Sequence, residues 1–437
     1  MKKITLIVFL HILTARAAIA QKQEIRLFTS DITNFWNAYD HITVTKDSAR
    51  QYAYMDSLFL KKATPGLKAL MQVREYTAKS YIDAINNYPM FWRSVRPNTL
   101  KADGFAKVID QGIARFKKLY PELKPAKIYF TIGALRTGGT TLDSLVLIGA
   151  EVALGDKQTV TTEFPRSLSH LRTYFDSEPM KSMAFNNIHE YVHTQQKTTV
   201  ANTLLGQSVL EGVAEFLAVQ VSGQASPTPA VAYGKRNDVR IRQAFAAQLF
   251  NPFTGFWLYS NQENEFHVRD LGYYVGYAIC EKYYEKAADK KQAIREMIRL
   301  DYNDEAALSR FVEQSGYFDE SMQSIKKRFE TSRPAVVAIG PFSNGSSQVA
   351  PSTTKLTVTF SEAMDEKSRN FDLGPLGEDN LMRVKKILGY AEDGRSLSFE
   401  VELKPDRHYQ LLLGEGFRNK AGLSMRPYLI DFKTAAR

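Results

Sequence analysis

Cysteine is nearly absent: Cys280 is the only one in 437 residues. A single thiol excludes an internal disulfide framework and any metal site built from several cysteines. It stands in "GYAICEKYY", an apolar helix-like stretch, and reads as a small buried hydrophobe. Long apolar runs are scarce too. "ITLIVFLHIL", near the N-terminus, falls short of the ~20 residues needed to span a bilayer. Arginine-rich clusters are also missing. The basic residues are dispersed among acidic ones, which removes nucleic acid from the expected partners.

What is present begins with an export signal. "MKK" precedes the apolar run and "AIA" follows it just before Gln21, so residues 1–20 read as a secretory signal peptide. No cysteine follows the run, which argues against a lipid-anchored start. The mature chain is expected to be exported, to the periplasm or to the extracellular cell surface. The net charge is +10; the first 20 residues carry Lys2, Lys3 and Arg16 and no acid, which leaves +7. That excess favours acidic surfaces or cell-wall polymers only mildly. Hydrophobic residues at 44% and charged residues at 24% describe a globular chain, and its length calls for two or three domains.

After the signal, residues 21–125 read as a helical region. Segments such as "GLKALMQVREYTAKSYIDAINNY" space their apolar residues by three and four, with "TPGLK" and "YPMFW" as punctuation. Residues 126–330 open with two strand signals, "AKIYFTIG" and "SLVLIGAEV", joined by the turn-rich "RTGGTTLD". Helical patterns follow around 179–197, 202–222 and from about 240 to 330. At 331–354, "TSRPAVVAIGPFSNGSSQVAPSTT" marks a boundary by its Pro, Ser and Gly. Beyond it, 331–437 carries short alternating strands such as "KLTVTF" and "SLSFEVEL", the pattern of a small β-sandwich.

The chemistry-bearing stretch is "NNIHEYVHTQQ", 186–196. On a helix, His189 and His193 share a face and can address one metal ion, with Glu190 close by. Two histidines are an incomplete site, because a zinc ion at a working site generally takes three protein ligands. Seventeen residues after His193, "LEGVAEFLA" offers Glu211 and Glu215, again four apart, on a helix that is otherwise apolar. Carboxylates on such a helix need a partner, since burying an uncompensated ion is costly. A zinc ion and an imidazole N–H would supply it, and helix geometry lets either glutamate take the metal.

Together these motifs resemble the gluzincin branch of zinc metallopeptidases, and more narrowly the DUF2268 group of zinc-dependent proteases, over residues 127–300. The resemblance implies an α+β zincin-like region, mostly helical with a small mixed sheet. It implies His189, His193 and Glu211 as Zn2+ ligands, Glu215 as partner of a ligand histidine, and Glu190 as general base on a zinc-bound water. An oxyanion donor is then needed, and "HVRDLGYYVGYAI" offers His267, Arg269, Tyr273, Tyr274 and Tyr277, with Tyr274 slightly favoured over Tyr273. In that architecture "SLVLIGAEV" would be the edge strand along which a peptide or protein substrate lies. The metzincin extension after His193 is missing, since Gln196 and Thr199 stand where Gly and His belong.

The C-terminal segment resembles bacterial Ig-like domains through "FSEAMD" and its closing "FKT", an all-β sandwich that would serve cell-surface or cell-wall association. The expected function is an exported zinc metallopeptidase. The alternatives are a non-catalytic binding or structural surface protein on a zincin scaffold, or a zinc amidase acting on the cell wall.

Overall fold

A computed structural model describes residues 27–437; the signal-peptide reading of 1–20 lies outside the described residues. About half of the chain is helical, with small sheets. The first helices are α1 (Ser30–Thr43), α2 (Ser48–Tyr54), α3 (Pro65–Arg74), α4 (Ala78–Asn87), α5 (Pro89–Thr99) and α6 (Ala106–Leu119). Their starts follow local chemistry. The Thr64 hydroxyl accepts the N–H of Leu67 with Pro65 in the first turn, and Thr77 caps α4 through Ser80. α1 shows why such segments fold: Ile32, Phe35, Trp36, Tyr39 and Ile42 form one buried face.

A four-stranded sheet lies behind these helices in the order β1-β2-β4-β3, with β1 (Leu27–Phe28), β2 (Lys127–Thr131), β3 (Gly139–Leu142) and β4 (Leu145–Gly149). β1, β2 and β4 run parallel, and β3 is antiparallel to β4. This corrects the expected edge strand. The run 144–152 supplies β4, which lies inside the sheet between β2 and β3 and turns helical at Ala150. The edge on that side is β3, made by "GTTL" from the stretch read as a turn.

The chain continues through α7 (Ala150–Ala153), α8 (His170–Asp176), α9 (Met183–His193), α10 (Leu204–Ser222), α11 (Pro229–Ala246), α12 (Leu271–Lys286), α13 (Lys290–Arg299), α14 (Glu305–Ser315) and α15 (Met322–Ser332). α10 is long and apolar enough to cross a membrane, but it is almost wholly enclosed by other parts of the fold. Its neighbours α9 and α12 cover what would otherwise be lipid-facing surface. Sheet and helices share one hydrophobic core.

From Val336 a second core begins. β5 (Val336–Gly340), β6 (Lys355–Phe360), β8 (Val384–Tyr390) and β9 (Ser396–Val401) form one antiparallel sheet in the order β5-β6-β9-β8. β7 (Phe371–Asp372), β10 (His408–Leu413) and β11 (Tyr428–Lys433) form the other, in the order β11-β10-β7. Alternate residues of β6, namely Leu356, Val358 and Phe360, point into this core, the period of two that a half-buried strand requires. The seam to the helical part is polar. Arg333, 8% exposed, donates to the carbonyls of Ser424 and Met425 and pairs with Glu415. Asn251 bonds Gly422 and Ser424.

Candidate metal centre

α9 presents His189 and His193 one turn apart to α10, which presents Glu211 and Glu215 with the same spacing. All four are at most 9% exposed. The Nε2 atoms of the two histidines are 3.2 Å apart, and each is 3.3 Å from Oε2 of Glu211. Three donor atoms thus form a nearly equilateral triangle. A tetrahedron with edges of ~3.3 Å has its centre ~2.0 Å from each corner, which is a zinc–nitrogen or zinc–oxygen bond length.

Hydrogen bonding on the far side of each ring decides where the protons are. Gln196 donates through Nε2 to the Leu210 carbonyl and to Tyr302 Oη, so its Oε1 is the acceptor facing His193 Nδ1 at 2.7 Å. His193 therefore carries its proton on Nδ1 and turns a bare Nε2 to the cluster. Nδ1 of His189 lies 3.0 Å from Oε2 of Glu215, whose other oxygen accepts from Ser226. This contact is close but poorly aligned for a hydrogen bond, so its charge more than its direction favours a proton on Nδ1. Two imidazole lone pairs and a carboxylate oxygen then face one another and need a cation between them. The donor set fits zinc.

The ionisation equilibria show the same demand. Burial opposes charging His189, but Glu211 and Glu215 outweigh it and raise its pKa well above the ordinary histidine value. His193 is raised too, with burial again overcome by Glu211. Burial favours a neutral Glu211, yet the two imidazoles hold its carboxyl well below the usual range.

The remaining site residues disperse. Glu190 is half-buried and lies against the edge strand: a Cβ built on Gly139 would stand 2.6 Å from its Oε1. Burial pushes its carboxyl up, against the pull of His193 and His189. Tyr273 belongs to the site, with its ring stacked on His189 at 6.0 Å between centroids. Tyr274, favoured by the sequence reading, does not: its hydroxyl donates to Asp238 on α11. Successive helical residues point about 100° apart, so two adjacent tyrosines cannot serve one site. Tyr277 donates to Glu281, Arg269 pairs with Asp270, and His267 is exposed and takes no part in the cluster's hydrogen bonds.

Three contributors escape the sequence reading. Gln196 enters it only as a departure from the metzincin extension. Gln207, one turn before Glu211, lies 3.4 Å from Glu211 Oε1, and the Tyr259 hydroxyl donates to that oxygen at 2.5 Å. The i,i+4 spacing of Gln207 and Glu211 is a usable signal; nothing local points to Tyr259. A cleft of about 650 Å³ at the seam near Phe253 and Arg418, and one of about 360 Å³ near Lys79 and Arg136, both lie away from this cluster.

Among curated proteins none matches the chain. Solved structures of the S-layer protein SbsC align with 93% of it: rSbsC(31-844) at 11% identity, its N-terminal part at 14%, and its domains 1-6 at 13%. The chain spans 45%, 77% and 45% of those chains, with a TM-score of 0.18 each, too low to carry any argument. The model of the family described as gliding motility protein GldB matches residues 14–265, more than half of the chain and all of α9 and α10. That match overturns the resemblance to gluzincins and to the DUF2268 group. With it go the zinc metallopeptidase activity and the role of Glu190 as general base. It agrees with an exported or cell-envelope protein. The chain belongs to the family of gliding motility protein GldB.

Proposed function

We propose that this protein is a non-catalytic cell-envelope component of a gliding apparatus, in which His189, His193 and Glu211 hold a zinc ion as a cross-link between α9 and α10. The family match over residues 14–265 carries this reading. The scaffold is zincin-like, with the metal motif retained for cohesion, and the C-terminal sandwich is an Ig-like module suited to cell-surface or cell-wall association. Three buried donors on two helices support this reading: an ion there would neutralise a carboxylate and bind two imidazole lone pairs that the fold has taken out of water, tying α9 to α10.

Gliding of the host with its own copy deleted and then replaced tests this. Wild type and Glu190→Gln should both restore spreading on a surface, and His189→Ala with Glu211→Ala should fail. Loss of spreading in Glu190→Gln, with metal content intact, would sink the non-catalytic reading. Protein purified from the host without any bound metal would sink the cross-link.

A further inference from the structure

Residues 247–270, between α11 and α12, contain neither helix nor strand. Segments that long inside a folded core are uncommon and often functional. This one is held at both ends of its course over the site. Trp257 is fully buried with its ring edge-on to Phe245. Two residues on, Tyr259 takes φ 60°, in the left-handed region that aromatic residues rarely adopt. Its backbone N–H is fixed by Oδ1 of Asp270 at 2.7 Å.

Tyr259 as a residue is 54% exposed, yet its hydroxyl points inward. It donates its one proton to Oε1 of Glu211 and accepts from Nε2 of Gln207 at 2.9 Å. Its ring stands at 90° to Tyr273, which in turn lies on His189. The two oxygens of Glu211 are thereby given different duties. Oε1 is bound by a phenol from the surface loop, and only Oε2 faces the imidazoles.

We infer that Tyr259 sets the metal selectivity of the centre, by holding Oε1 so that Glu211 offers a single oxygen. Two nitrogens and one oxygen in a tight triangle suit zinc. Calcium takes six to eight oxygens and commonly both oxygens of a carboxylate, and manganese also prefers oxygen-rich sites. With Oε1 engaged, those cations lose the donor they would need. This inference rests on the metal reading proposed above, and it makes Tyr259 a positioning residue, acting through Glu211.

Full-length protein, stripped of metal, is titrated with zinc, manganese and calcium against a chromophoric chelator, as wild type and as Tyr259→Phe. The phenylalanine keeps the ring and removes only the hydroxyl. Zinc affinity should fall about 10- to 100-fold, the range seen when a partner of a ligand is lost. The preference for zinc over manganese should narrow, a readout that the general loss of stability from one missing charged hydrogen bond would not move. Gln207→Ala, which loosens the hydroxyl, should shift zinc affinity the same way by a smaller factor and serves if the phenylalanine variant misfolds. Unchanged zinc affinity and selectivity in a folded variant would overturn the role of Tyr259. Wild-type protein that binds no zinc would instead remove the metal reading itself, a result visible before any variant is made.

Discussion

Gly212 on α10 and Gly276 on α12 bring two helix backbones into direct contact. A Cβ on Gly212 would overlap the backbone of Gly276, and one on Gly276 would overlap the carbonyl group of Ser208. Gly272, one turn before Gly276, repeats the small-residue spacing against Ser208 and Leu258. The close crossing also sets the rotation of α12 and so directs Tyr273 over His189. Gly276→Ala should cost about 3 kcal/mol, the upper part of the range for overpacking, read as a lower denaturant midpoint. Gly223→Ala, in open space at φ 71°, should cost less. Equal effects would mean that the crossing does not limit stability.

Metal removal should lower stability by an amount set by mass action. At a free zinc concentration a thousandfold above the dissociation constant, the ion contributes about 4 kcal/mol. Addition of a chelator should therefore lower the melting temperature of wild type and leave His193→Ala unchanged. Gln196→Leu removes the acceptor that keeps the His193 proton on Nδ1. Its zinc affinity should fall about 10- to 100-fold. A wild-type melting curve indifferent to chelator would exclude a stabilising ion.

Glu151 gives a pH dependence away from the metal. It is fully buried at the start of α7, and burial pushes its carboxyl up to about 7, although the N–H groups of Gly133 and Leu135 pull it down. Between its unfolded value of 4.5 and about 7 the folded chain keeps a proton that the unfolded chain has lost. Stability from this group therefore falls as pH rises through that window, by about 3 kcal/mol in all, and is level above it. Glu151→Gln should flatten that part of the stability profile. A wild-type minus variant difference that stays constant from pH 4.5 to 7 would refute it.

Arg333 can be tested for coupling the two cores. Arg333→Leu keeps bulk beside Phe329 but loses the bonds to Ser424, Met425 and Glu415. Hydrogen bonds of charged groups are worth about 1.5–3 kcal/mol each, so calorimetry should show the sandwich and the helical part melting at more widely separated temperatures. An unaltered profile would assign the coupling elsewhere.

Some of this is legible in the sequence, and the reasons are local. His189/His193 and Glu211/Glu215 are readable because four-residue spacing on a helix is a geometric statement. α10 is readable because Thr203 caps it and apolar residues fill it. β3 is not, because four residues beginning at Gly139 look like a turn; the glycine is there to admit Glu190. The sequence reading leans to Tyr274 while Tyr273 is the one that lies on His189, because the rotation of α12 is fixed by Gly212 and Gly276, a contact between segments more than 60 residues apart. Tyr259 is invisible for the same reason: it lies 48 residues from Glu211 and joins it only in the folded chain. The motifs mislead about functional class because spacing specifies a set of donor atoms, while the reaction, if any, depends on what else surrounds them.

The seam described at Arg333 has a mechanical meaning. Arg333 grips two consecutive carbonyls, Asn251 grips the same segment from Gly422 to Ser424, and Arg426 N–H bonds the Pro334 carbonyl. These bonds lie side by side across one joint. Tension between the sandwich and the helical body passes from Ser332 into the sandwich through the bonds of Arg333 and Pro334, while Asn251 bridges the two parts outside the crossing. These bonds must yield together before the crossing can extend, so the joint resists a sustained pull as a stiff coupling and not as a tether.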